Sequence, residues 1–167
     1  MAHWSIESSA NRQPLKHSPF EPANKNQLWL TNTSVYFCAK AYPTVTMEHP
    51  DGAALTVLGG LMRNGYLHRA IREQGGAYGG GASQDGSTGV FRFYSYRDPR
   101  LQETLTDFDQ AITWAKQHSY SDEALEEAIL GVIAAIDKPS SPAGACKQHF
   151  HNRLFGRTHL DRLAFRS

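Results

Sequence analysis

The sequence predicts an α+β fold, an antiparallel sheet with helices packed on one side. Three observations carry that reading. Residues 34–42 alternate apolar and polar positions with a period of two. Residues 88–96 repeat the alternation just after a glycine-rich run and a turn. Elsewhere the apolar residues step by three and four, the period of an amphipathic helix. The order strand, helix, hairpin, helices belongs to an α+β domain.

Each element follows from its residues. Residues 1–26 are rich in Ser, Asn, Pro and Lys and hold no period, so they read as an arm or linker before a single domain at 27–167. Residues 27–32 are a candidate short strand. In 34–42, Val35, Phe37, Ala39 and Ala41 make one apolar face, and Pro43 limits the extension. A helix opens at Pro50 or Asp51 and carries Ala54, Leu55, Leu58, Leu61 and Met62. Gly59 and Gly60 within it are poor helix formers and point to close packing. Gly65 is expected to interrupt it, with a second short helix bearing Leu67, Ala70 and Ile71.

Five of the seven positions 75–81 are glycine. Residues 84–87 then read as a hairpin turn. In the strand at 88–96, Phe91 and Phe93 share one face, and Arg92, Tyr94 and Tyr96 the other. Asp98 and Pro99 read as an N-cap and first helical residue, ahead of Leu101, Leu105, Phe108, Ile112 and Ala115. Ser121 caps the next helix, whose stripe is Leu125, Ile129, Val132 and Ile136, and Pro139 ends it. Ser141 and Pro142 repeat the cap-and-proline signal before Phe150, Leu154 and Gly156.

Composition narrows the function classes. The 167 residues hold 17 Lys and Arg against 16 Asp and Glu, a net charge of +1. That balance argues against nucleic acid gripped by a broad basic face. No apolar run is long enough to span a bilayer, and residues 1–10 lack the plan of a secretory signal. Cys38 and Cys146 stand far apart, which fits a reducing, cytoplasmic setting and argues against a cysteine-based metal site.

The glycine-rich segment is the sharpest chemical feature. A phosphate cradle needs its glycines between a strand and a following helix. Here the helix precedes them. A glycine-rich edge strand would let a peptide add alongside by main-chain hydrogen bonds. Tyr78 would then offer a phenol and Arg72 a forked cation. Alternatively, the glycines merely permit tight packing under a helix, with Arg72 a surface charge and Tyr78 half-buried; spacing alone favours this second reading. The eight histidines form no zinc motif. Glu48 and His49 supply only the last two letters of H-x-x-E-H, and His149 and His151 diverge on a helix. No G-x-S-x-G elbow is present, and Glu123, Glu126 and Glu127 read as a solvated face. Arg97 and Asp98 are expected to pair at the strand-to-helix corner.

Residues 71–79, I-R-E-Q-G-G-A-Y-G, closely resemble the R-E-x-G-G-A-Y-G segment of the pitrilysin-type (inverzincin) zinc metallopeptidases, nearest the presequence-protease branch. The likeness continues through residues 91–99, 103–105, 127–131 and 137–142. It runs from about Val35 to Arg166.

The resemblance implies a LuxS/MPP-like metallohydrolase fold, one of four related α+β domains that enclose a chamber. The zinc ligands of such peptidases lie in the N-terminal half, so no metal ligand and no cofactor are expected in this chain. By the match, Arg72 would grip a substrate carbonyl, and Tyr78 would donate its hydroxyl to the substrate or the tetrahedral intermediate. Gly79 and Gly80 would complete the substrate-binding edge. The chain resembles only the last domain and reads as a truncated fragment, inactive alone. The implied partners are a peptide substrate and the N-terminal half of the same peptidase. The alternatives are a non-catalytic assembly domain, or a peptide-binding module that self-associates into a homo-oligomer. An organelle matrix would suit a eukaryotic source.

Overall fold

The computed structural model describes residues 23–166. The chain divides into two compact units, Met1–Leu30 and Thr31–Ser167. Of the arm expected at residues 1–26, residues 1–22 lie outside the described residues. The candidate strand at 27–32 does not form.

The second unit is α+β as expected, with three antiparallel strands in the order β1-β3-β2. Strand β1 is Tyr36–Pro43, β2 is Gly79–Asp85 and β3 is Val90–Asp98. Helix α1 is Asp51–Met62 and runs on, without the break expected at Gly65, into a π-helical stretch, Arg63–Gln74. Then come α2 (Gln102–Gln117), α3 (Asp122–Asp137), α4 (Pro142–Leu154) and α5 (His159–Arg166). The chain passes Gly65 without stopping because that glycine makes room: a Cβ there would sit 2.5 Å from the Trp114 indole.

The sheet has a covered and an open face. The register sets Cys38 opposite Ser95, Lys40 opposite Phe93 and Tyr42 opposite Phe91, so these side chains share the covered face. Phe93 stacks on Phe108 of α2 at 5.6 Å, and Leu67 and Ile71 of the π stretch are fully buried beside them. Burying each such side chain is worth about 1.5–3 kcal/mol. Phe91 and Phe93 thus point inward, as their spacing predicts. The apolar face of β1 does not. Phe37, Ala39 and Ala41 stand opposite Tyr96, Tyr94 and Arg92 on the open face, and Phe37 is 67% exposed. Helix α2 claims the other side of β1 through Asp109, which takes bonds from Lys40 and the Tyr42 hydroxyl.

Capping is as predicted at two helices of three. Ser121 accepts from the Ala124 N–H at 3.2 Å, and Ser141 from the Gly144 N–H at 3.2 Å. Asp98 does not cap α2, which begins at Gln102 after an uncapped Leu101. Instead its carboxylate, wholly buried, takes the Arg100 N–H at 2.9 Å and the Thr104 hydroxyl at 2.8 Å. Those bonds fix the corner without Arg97, the partner expected from sequence. In the α3 stripe, Leu125 and Ile129 remain about two-fifths exposed, at 41% and 40%. Helix α4 buries no residue.

Candidate functional site

The residues singled out by sequence gather at one corner of the sheet. Arg72 lies in the last turn of the π stretch. Its carbonyl accepts the Gly76 N–H at 3.1 Å, and the Ile71 carbonyl accepts the Ala77 N–H at 3.1 Å. Gly76 takes a φ of +78°, a conformation glycine adopts freely, and so turns the chain toward the sheet. Tyr78 follows, and its N–H donates to the Arg97 carbonyl at 3.3 Å, which latches it to the end of β3.

Tyr78 is 64% exposed rather than half-buried. Its ring meets the Tyr96 ring at 5.7 Å, tilted by 53°. The Arg97 guanidinium carbon lies over it, 5.6 Å from its centre. Arg72 is exposed, and among the described residues its guanidinium has no hydrogen bond or ion pair, while its neighbours His68 and Glu73 pair at 3.2 Å. Gly79 stands opposite Tyr96 and Gly80 opposite Ser95. A Cβ on Gly79 would lie 2.5 Å from the Tyr96 hydroxyl, and one on Gly80 would lie 2.8 Å from the Tyr94 carbonyl oxygen. The tight-packing account therefore applies to these glycines. Among the described residues it leaves their outer edge unpaired, because β2 is an edge strand.

The sequence does not mark Tyr96 or Arg97 as site residues. A tyrosine in an alternating strand looks like any other face residue. Arg97 has a φ of +49°, and no spacing or composition marks a non-glycine residue that adopts it. Cys38, on the covered face, is held as a neutral thiol, since burial pushes its pKa up. Among the described residues, no group of His, Cys, Asp and Glu is arranged to hold a metal ion. The donor set here does not fit zinc.

The fold belongs to a known class. The fold is that of the pitrilysin-like zinc proteases: a protein from Bordetella pertussis Tohama I assigned as a zinc protease superposes with a TM-score of 0.63 at 16% identity, covering 80% of each chain. At that identity the likeness speaks for the fold alone. Residues 31–167 match the family model described as the PreP C-terminal domain, and the chain belongs to that family. It is 36% identical to the mitochondrial presequence protease of Xenopus laevis over 168 aligned positions, 93% of this chain and 16% of that protein. It is 40% identical to the one from Kluyveromyces lactis over 136, 81% of this chain and 14% of that protein. The chain thus spans about a sixth of the length of these relatives.

Proposed function

We propose that the chain is the substrate-binding, zinc-free C-terminal domain of a zinc metalloendopeptidase that degrades unstructured peptides. The observation that carries this reading is the corner just described: an exposed Tyr78, and an Arg72 unpartnered among the described residues, on either side of the glycine turn that opens edge strand β2. A peptide in extended form would add along β2 by main-chain hydrogen bonds, which an unstructured chain offers along its whole length. Arg72 would take a substrate carbonyl in its fork. Tyr78 would donate its hydroxyl to the oxygen on which charge builds. The open sheet face, with Phe37, Tyr96 and Tyr78 uncovered, suits the wall of a chamber closed by the N-terminal half of the same peptidase, where the zinc would be held. The relatives are named as mitochondrial, which favours an organelle matrix over the cytoplasm.

The test is peptide cleavage by the full-length peptidase that carries this domain. Tyr78→Phe removes only the hydroxyl and should lower kcat about a hundredfold, the scale of a lost oxyanion donor. Arg72→Ala should mainly raise KM. Undiminished cleavage by Tyr78→Phe would remove the proposed role.

A further inference from the structure

We infer that Arg97 is a positioning residue for Tyr78, aimed at it by a β-bulge. The inference rests on the substrate-binding reading of Tyr78. The bulge shows in the register: Tyr36 stands opposite Asp98 and Phe37 opposite Tyr96, so Arg97 has no partner across the β1 ladder. It shows again in the alternation. Phe91, Phe93 and Ser95 are buried in turn, so position 97 should be the next inward side chain. Arg97 is exposed, and the buried residue is Asp98. The extra residue has reversed the faces.

The reversal has a backbone signature. Among the described residues, Arg97 is the only non-glycine with a positive φ, +49°. Glycine would meet that conformation with no strain, and an L side chain avoids it. The strained choice brings a cation: the guanidinium lies over the Tyr78 ring while the Arg97 carbonyl holds the Tyr78 N–H. Asp98 pins the bulge from below through Arg100 and Thr104. Tyr78 is otherwise an exposed side chain whose one other ring contact among the described residues is Tyr96. A ring so placed keeps a single orientation only if something holds it, and Arg97 does so.

Arg97→Gly tests this without threatening the fold, because glycine suits the left-handed backbone. Arg97→Lys keeps a cation. In the chain with labelled tyrosine rings, the Tyr78 resonance is assigned by its loss in Tyr78→Phe. The nuclear Overhauser effect between the Tyr78 and Tyr96 rings should fall at least about twofold in Arg97→Gly and persist in Arg97→Lys. In the full-length peptidase, Arg97→Gly should lower kcat about fivefold with KM nearly constant, and Arg97→Lys should recover most of it. An unchanged ring-to-ring signal in Arg97→Gly overturns the inference. So does a loss confined to KM, which would mean that Arg97 touches the substrate. If Tyr78→Phe leaves kcat intact, the substrate reading fails, and the ring signal still decides whether Arg97 holds Tyr78.

Discussion

Removing the Asp98 carboxylate should cost more than its single position at a strand end suggests. The group is wholly buried and accepts the Arg100 N–H at 2.9 Å and the Thr104 hydroxyl at 2.8 Å. Hydrogen bonds to a charged acceptor are worth about 1.5–3 kcal/mol each. Asp98→Ala loses both and strands two donors, while relieving the cost of a buried charge, so the net loss should be about 2–4 kcal/mol. Asp98→Asn is the informative contrast. Its amide oxygen still serves the Arg100 N–H, and the Thr104 hydroxyl can turn to accept from the amide nitrogen. It should lose about half as much or less. Thr104→Val should cost about 1.5–3 kcal/mol, and the Asp98→Ala/Thr104→Val pair less than the sum, because one bond is counted twice. Urea unfolding followed by circular dichroism gives each value, provided the slope against denaturant is unchanged. Strict additivity of the pair, or an Asp98→Ala within about 0.5 kcal/mol of the parent, would refute the reasoning.

Further outcomes follow from single contacts. Gly60→Ala should stabilise by about 0.5–1 kcal/mol, since nothing lies within 4 Å of the added methyl and the helix gains propensity. Gly75→Ala should cost about 1–3 kcal/mol, because its methyl would collide with the Ile71 carbonyl oxygen and the Arg100 guanidinium; thermal melts decide both. Alkylation followed by mass spectrometry should mark exposed Cys146 quickly and buried Cys38 only in denaturant. Burial raises the Cys38 pKa, so its contribution to stability is complete below the ordinary thiol range and fades as pH climbs through the raised value. The alkaline loss of stability should therefore be shallower in Cys38→Ala. Ala39→Thr, on the open face, should change stability by less than about 0.5 kcal/mol.

Strands and helices were legible wherever the period was clean. The inward pair Phe91 and Phe93, the caps at Ser121 and Ser141, and the stripe through Phe108 all stand where spacing puts them. The face of β1 was readable as apolar but not as uncovered. Burial there depends on α2, dozens of residues away, whose Phe108 joins Cys38, Tyr42 and Phe93 in the core while Asp109 pairs with Lys40 and Tyr42. Asp98 beside Pro99 carries every local mark of a cap. Its use as a buried acceptor is set by Thr104 in the first turn of α2, a side-chain bond that no cap pattern spells out. Of the candidate site, the glycine turn with Arg72 and Tyr78 was visible from residue types. Arg97 was not, because a bulge is a relation between two strands and leaves no trace in either alone.

The π-helical stretch gives the corner a clock. In an α-helix each residue advances about 100° around the axis. The twelve residues of Arg63–Gln74 are bonded on a wider ring and so lag behind that count. The accumulated lag sets the direction in which Arg72 leaves the helix. Deleting one residue upstream of Arg72 would swing it about a quarter of a turn from its present bearing, with composition and charge almost untouched. The spacing from Met62 to Gly75 thus fixes the bearing of Arg72 as much as the residues it separates, and two chains that agree in every letter of the glycine turn aim that arginine differently if they differ in that count.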